Sequence, residues 1–171
     1  VPLASVLAWT KGILDGLPMP GGADNMAAYI TPPDPNVEAG PPAAYVWTPT
    51  GRESRDSQQG GAIPRNTGPG TPAGWKPIMH TIDVFIDWFQ ADDDPRADSI
   101  FPGIVDAVMF ALRTSQDSVT LDDPYNPNIT STLYNLGEDI DYITEFNALA
   151  DQAYDRYQAL LRCPCYELIQ A

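Results

Sequence analysis

The sequence predicts a mixed α/β fold of the α+β kind: a mostly antiparallel mixed sheet flanked by two main helices, with a long extended hairpin arm. Three observations predict it. From Ile78 to Phe89 the side chains alternate, with Ile78, His80, Ile82, Val84, Ile86 and Trp88 on one side and Met79, Thr81, Asp83, Phe85, Asp87 and Phe89 on the other, which is the period of a strand. Two stretches, Pro2 to about Gly16 and Asp98 to Arg113, carry apolar residues at helical spacing. The strand period then returns, with Ile140, Tyr142, Thr144 and Phe146 opposite Asp139, Asp141, Ile143 and Glu145.

The first helix aligns Leu3, Val6, Leu7, Thr10, Leu14 and Leu17, with proline in its first turn and Gly16 and Pro18 at its end. Trp9 and Ile13 form a second apolar strip, read either as partly exposed core or as a subunit contact. After a turn at Met19 to Gly22, two short strands are expected at Asn25–Thr31 and Ala43–Thr48, the first stopped by Pro32 and Pro33. Gly51 to Gly74 is polar and rich in glycine and proline, without apolar periodicity. It reads as a solvated hairpin tip or, preferably, as an arm that orders against a partner. The preference rests on Arg52, Arg55, Arg65 and the adjacent Lys76, a basic cluster in a chain with only 9 basic residues.

The long strand follows, and its acidic turn carries Asp92, Asp93, Asp94 and Asp98 without the alternation, glycine and distal glutamate of a calcium loop. Asp98 or Ser99 caps the second helix, Pro102 falls in its first turn, and Phe101, Ile104, Val105, Val108 and Leu112 form its buried stripe. Beyond it come a short strand at Ser118–Leu121, the strand around Ile140, a short helix at Gln152–Leu161 and a last strand at Cys165–Gln170.

At 171 residues, with 43% hydrophobic and 19% charged, the chain is long enough to bury one core, so 1–171 reads as a single domain with 51–74 as its arm. No apolar run approaches the roughly 20 residues of a membrane span, and no secretory leader is visible, so synthesis in the cytoplasm is expected. Cys163 and Cys165, separated by Pro164, make no disulfide framework. A net charge of -14 argues against general nucleic-acid binding, which depends on cationic contacts to phosphates, but suits a protein that lets DNA pass without sticking.

Chemistry-bearing motifs are sparse. His80, the single histidine, sits on the core side of the long strand and reads as structural. It has no zinc-like spacing with the cysteines, and there is no P-loop, dinucleotide fingerprint or nucleophile elbow. Asp83 and Asp87, four apart on one strand, stand about 13 Å from each other by the strand rise, too far for a carboxylate pair to act on one bond. No cofactor and no enzymatic activity are expected.

The segments LAWTKGILDGLPMP, AAYITPPDPNVE, PRNTGPGTPAGWK, WFQADDDPRADSIFPGIVDAVM and LLRCPCYELIQ span nearly the whole chain. Together with the order of elements, they resemble the tail terminator proteins of long-tailed bacteriophages, particularly those infecting actinobacteria. The resemblance implies a tail-terminator-like fold and a structural virion protein assembled in the bacterial host cytoplasm. It further implies a homo-oligomeric ring, hexameric by analogy, at the head-proximal end of the tail, in contact with the tail tube protein and the head-tail connector or stopper protein. DNA would cross the lumen without specific binding, and no membrane is involved. On this reading Asp83, Asp87, Asp139, Asp141 and Glu145 face the lumen or its rim and repel phosphates, while Arg52, Arg55, Arg65 and Lys76 contact the tube or a neighbouring subunit. The competing assignment is another neck component, such as a head-tail stopper or connector adaptor.

Overall fold

A computed structural model describes residues 3–31, 40–53, 75–91, 97–115, 118–122, 130–134, 139–148 and 154–170. In chain order the elements are α1 (Leu3–Leu14), a 3-10 turn (Pro20–Gly22), β1 (Ala27–Tyr29), β2 (Ala43–Glu53), β3 (Trp75–Ala91), α2 (Ala97–Arg113), β4 (Ser118–Asp122), β5 (Thr130–Tyr134), β6 (Asp141–Ala148) and β7 (Tyr154–Gln170). The fold is α+β, and among the described residues it has two main helices and a mixed sheet in which only β1 and β2 pair in parallel. The strand order is β1-β2-β3-β7-β5-β4, and β6 also pairs with β7.

The alternation read at Ile78–Phe89 belongs to a longer strand, and its partner is β7. The two run antiparallel from Trp75 opposite Gln170 to Ala91 opposite Tyr154. The composition of Gln152–Leu161 predicts a helix, but from Tyr154 onward this stretch is strand, Gln152 and Ala153 lying outside the described residues. Its glutamine, alanine, leucine and arginine favour helix intrinsically, but tertiary context overrides so weak a preference. Tyr157, Ala159, Leu161, Cys163 and Cys165 are all buried, an unbroken period of two that a helix cannot satisfy. Pro164 is tolerated because it falls between the ranges that β6 (155–162) and β5 (166–169) pair, where β7 has no partner on that side.

The core lies on one face of the sheet. Ile82, Val84, Ile86 and Trp88 from β3 meet the buried residues of β7 and β2, and α2 covers them with Phe101, Ile104, Val105, Val108, Met109 and Leu112. Trp88, Phe101 and Tyr157 form an aromatic cluster with ring centroids 5.4 to 6.4 Å apart. Helix α1 buries Val6, Thr10 and Leu14 and touches α2, β1, β2 and β4. Trp9 and Ile13, left open between core and subunit contact, pack partly against this cluster. His80 is buried on the same face, opposite Cys165.

Glycine fixes how the first helix and the turn meet the second. Gly16, at φ 77°, ends α1 and donates its N–H to the Met26 carbonyl at 2.8 Å. Gly21, at φ 70°, lies so near α2 that a Cβ there would stand 2.6 Å from a carbon of Ile100. Helix α2 begins at Ala97, so Pro102 sits in its second turn rather than its first. Strand β2 continues to Glu53, with an irregularity between Trp47 and Thr50, so Gly51 and Arg52 are strand rather than arm.

Replacing Trp88 with alanine removes the centre of the aromatic cluster and should cost about 3–5 kcal/mol in urea unfolding. A loss below about 1 kcal/mol would show that the ring is not packed as described.

Candidate functional site: the outer face of the sheet

Residues opposite one another in a ladder point to the same side, so the face away from the helices can be read row by row. Tyr29, Tyr45, Phe85, Leu160 and Ile143 are successive partners across β1, β2, β3, β7 and β6, and make one apolar row. Tyr29 stacks on Tyr45 at 5.5 Å between centroids, and Tyr45 lies 6.5 Å from Phe85. The row is half-exposed at Phe85 and Leu160 and opens at its two ends, where Tyr29 is 45% and Ile143 63% exposed. No described helix lies on this face.

On either side of that row sits an arginine–carboxylate pair. Asp83 is directly opposite Arg162, whose Nε and Nη2 donate to its two oxygens at 3.0 and 3.1 Å. Asp87 lies diagonal to Arg156, which donates from Nε at 2.9 Å and from Nη2 at 2.6 Å and rests 4.8 Å above the Phe89 ring. Both are two-pronged contacts that only a planar guanidinium can make. The hydrogen bond that Arg156 donates to Asp87 outweighs the opposing cost of burial and raises the guanidinium above its usual range. Asp83 acts on Arg162 in the same direction.

These pairs change the expected role of two acids. Asp83 and Asp87 were expected to present negative charge, yet both carboxylates are buried and each is neutralised by an arginine. The physical reason is the burial itself, since an unpaired carboxylate there would cost several kcal/mol. Asp141 and Glu145 on β6, and Asp139 just before it, are exposed. Asp141 stands opposite Arg162 and Glu145 opposite Gln158, so the acids share one face with the paired arginines.

Among the basic residues assigned to the arm, Arg52 stands on β2 opposite Met79, and Lys76 on β3 opposite Ile169. Arg55 and Arg65 lie outside the described residues. Sequence reasoning missed Arg156 because it placed it on a helix, and Arg162 because it fell between that helix and the last strand. Their spacing of six matches one side of a strand, which was the available signal.

Comparison with known protein families gives no match, and comparison with curated proteins gives none either. Among the described residues no helix is long and apolar enough to cross a membrane.

The two pairs differ in depth, and this separates their contributions. The Arg156 side chain is 17% exposed and that of Arg162 53%. Asp87→Asn should therefore cost about 3 kcal/mol, as for removing one partner of a buried pair, and Asp83→Asn about 1 kcal/mol. Equal losses in urea unfolding would contradict this ordering. A second expectation concerns Cys163, whose thiol is pushed up to about 12, first by burial and then by Asp83. The unfolded thiol ionises near 9.0, so stability should fall as pH rises above that value, where the unfolded chain releases a proton that the folded chain keeps. At pH 8, iodoacetamide should label the thiol only after unfolding, and rapid labelling of native protein would refute its burial.

Proposed function

We propose that this chain is a structural protein of a long-tailed phage virion, forming a ring that terminates the tail tube and joins it to the head connector while DNA passes. Support comes from the resemblance of segments across the chain and from one observation on the sheet: its outer face holds Arg156 and Arg162 in ion pairs and leaves its surplus acids exposed. Arg156 and Arg162, the cations that would otherwise grip a phosphate backbone, are each committed to a buried carboxylate. Asp139, Asp141 and Glu145 remain exposed.

A face of that kind repels DNA weakly and binds it nowhere, which is what a conduit requires. Asp83 and Asp87 serve it indirectly, by cancelling arginines, while Asp139, Asp141 and Glu145 carry the net charge at the lumen or its rim. A folded chain of this length measures about 40 Å across, and six such bodies in a closed ring leave a hole of similar width. That admits a duplex roughly 20 Å wide. Arg52, Arg55, Arg65 and Lys76 supply contacts to the tube or to the neighbouring subunit. The role requires no cofactor and no catalysis.

Electron microscopy of virions carrying a tagged copy should place the protein at the head-proximal end of the tail, in contact with the last tube ring. A position between that ring and the portal without tube contact would assign it instead as a stopper or adaptor. Distribution along the shaft or on the shell would refute the proposal. Deleting residues 54–74 should leave folded protein but abnormal tails, and normal tails would remove the arm from the mechanism.

A further inference from the structure

Strand β6 has a partner on one edge only among the described residues, namely β7. Every second residue of such a strand turns its N–H and C=O away from the sheet, which makes the edge a template for another strand. Residues 141–145 are exposed on both faces, and the two large apolar residues among them stand out: Tyr142 is 57% and Ile143 63% exposed. On the outer face Ile143 lies between Asp141 and Glu145.

The occupied edge shows what β6 accepts. Opposite Asp141 is Arg162, opposite Ile143 is Leu160, and opposite Glu145 is Gln158. The complement is a cation, an apolar residue and a polar residue at alternate positions. A strand meeting the open edge faces the same three side chains from the other side, so the same pattern fits it.

The edges of this sheet do not supply that pattern from a second copy. Pairing β6 with its own copy about Ile143 sets Asp141 against Glu145, and any register brings more carboxylates to an acidic edge. Strand β1 spans three residues, and the Asp15 carboxylate already accepts the outward Ala28 N–H at 3.1 Å. Strand β4, SVTLD, contributes an acid and no base.

We infer that the open edge of β6 is a docking strand for an extended segment of a different protein, which adds antiparallel with a lysine or arginine opposite Asp141 and an apolar residue opposite Ile143. Backbone bonds supply the affinity and these side chains the register and selectivity. The inference does not depend on where the protein sits in a particle, so it stands or falls separately from the tail reading.

The probe is a capped synthetic peptide, YDRYQALLR, the sequence of residues 154–162, whose pairing with β6 is known from the fold. Added to the full chain, it should slow amide hydrogen exchange within 141–148 and leave β3 unchanged. The Asp141→Lys, Glu145→Lys variant should weaken binding at least about tenfold. Because Asp141 also neighbours Arg162, Glu145→Lys alone is the second variant, and it should weaken binding about threefold. A peptide with proline at both the Leu160 and Leu161 positions should not bind, since one of two successive residues must turn its N–H toward β6. Protection absent from 141–148, equal binding of the proline peptide, or affinity indifferent to both charge reversals would overturn the inference.

Discussion

The pairing of β3 with β7 is the constraint on which the rest of the structure depends. Two strands of 17 residues each are joined along their whole length, and each other strand attaches to one of them directly or through a single intermediary. Their shared inner side presents Ile82, Val84, Ile86, Trp88, Tyr157, Ala159 and Leu161, a surface that must be covered. Helix α2 follows β3 in sequence and returns across that surface, with Phe101 seated against Trp88 and Tyr157. Burying this much apolar area is what overcomes the entropy of holding so long a ribbon straight. The contacts are also distant in sequence, so the ribbon closes only after a large loop has been ordered.

Hydrophobic burial alone would not fix the register of this ribbon. A slip by one residue would expose the core face, but a slip by two keeps every apolar residue on its correct side. The buried acids remove that ambiguity. A slip of two moves Asp83 from Arg162 to Leu160 or Pro164 and Asp87 from Gln158 to Arg156 or Leu160, so neither slip keeps both two-pronged contacts as they stand. The pairs therefore select one alignment among several of similar hydrophobic merit, whatever their net contribution to stability. The same commitment removes two arginines from the inventory of a chain with 9 basic residues, which sharpens the acidic character of the surface.

What was legible in the sequence followed from local periodicity. Strand β3, both helices, β1, the start of β2 and β4 all carry patterns that need no partner to be recognised. Strand β7 was misread at Gln152–Leu161 because its outward positions hold Arg156, Gln158, Leu160 and Arg162, a composition that helices favour. Only the burial of Tyr157, Ala159 and Leu161 in a row decides the matter, and that is a property of the sheet. The candidate face was legible in part. The acids of β6 were read correctly as exposed, whereas Asp83 and Asp87 followed the same alternation and proved buried. Alternation assigns a side chain to a face; it does not say whether a cation from a strand 69 or 79 residues away lies across it.

The treatment of the sheet edges separates avoidance of self-association from inertness. At β1 the Asp15 carboxylate, itself held by Lys11, occupies a backbone donor and so blocks an incoming strand of any sequence. At β6 the outer edge has no partner among the described residues, and discrimination falls to Asp141 and Glu145, with Asp139 just before the strand. Carboxylates on an edge repel a second copy of an acidic chain, but they attract any strand that carries the opposite charge. Exposed Ile143 and Tyr142 would be a poor choice for an edge meant only to stay solvated, since apolar residues there add nothing to repulsion and reward a strand that covers them. The combination of an open ladder, flanking acids and a central apolar residue is therefore selective rather than merely protective. It closes the edge to copies of this protein and leaves it open to a partner of complementary charge.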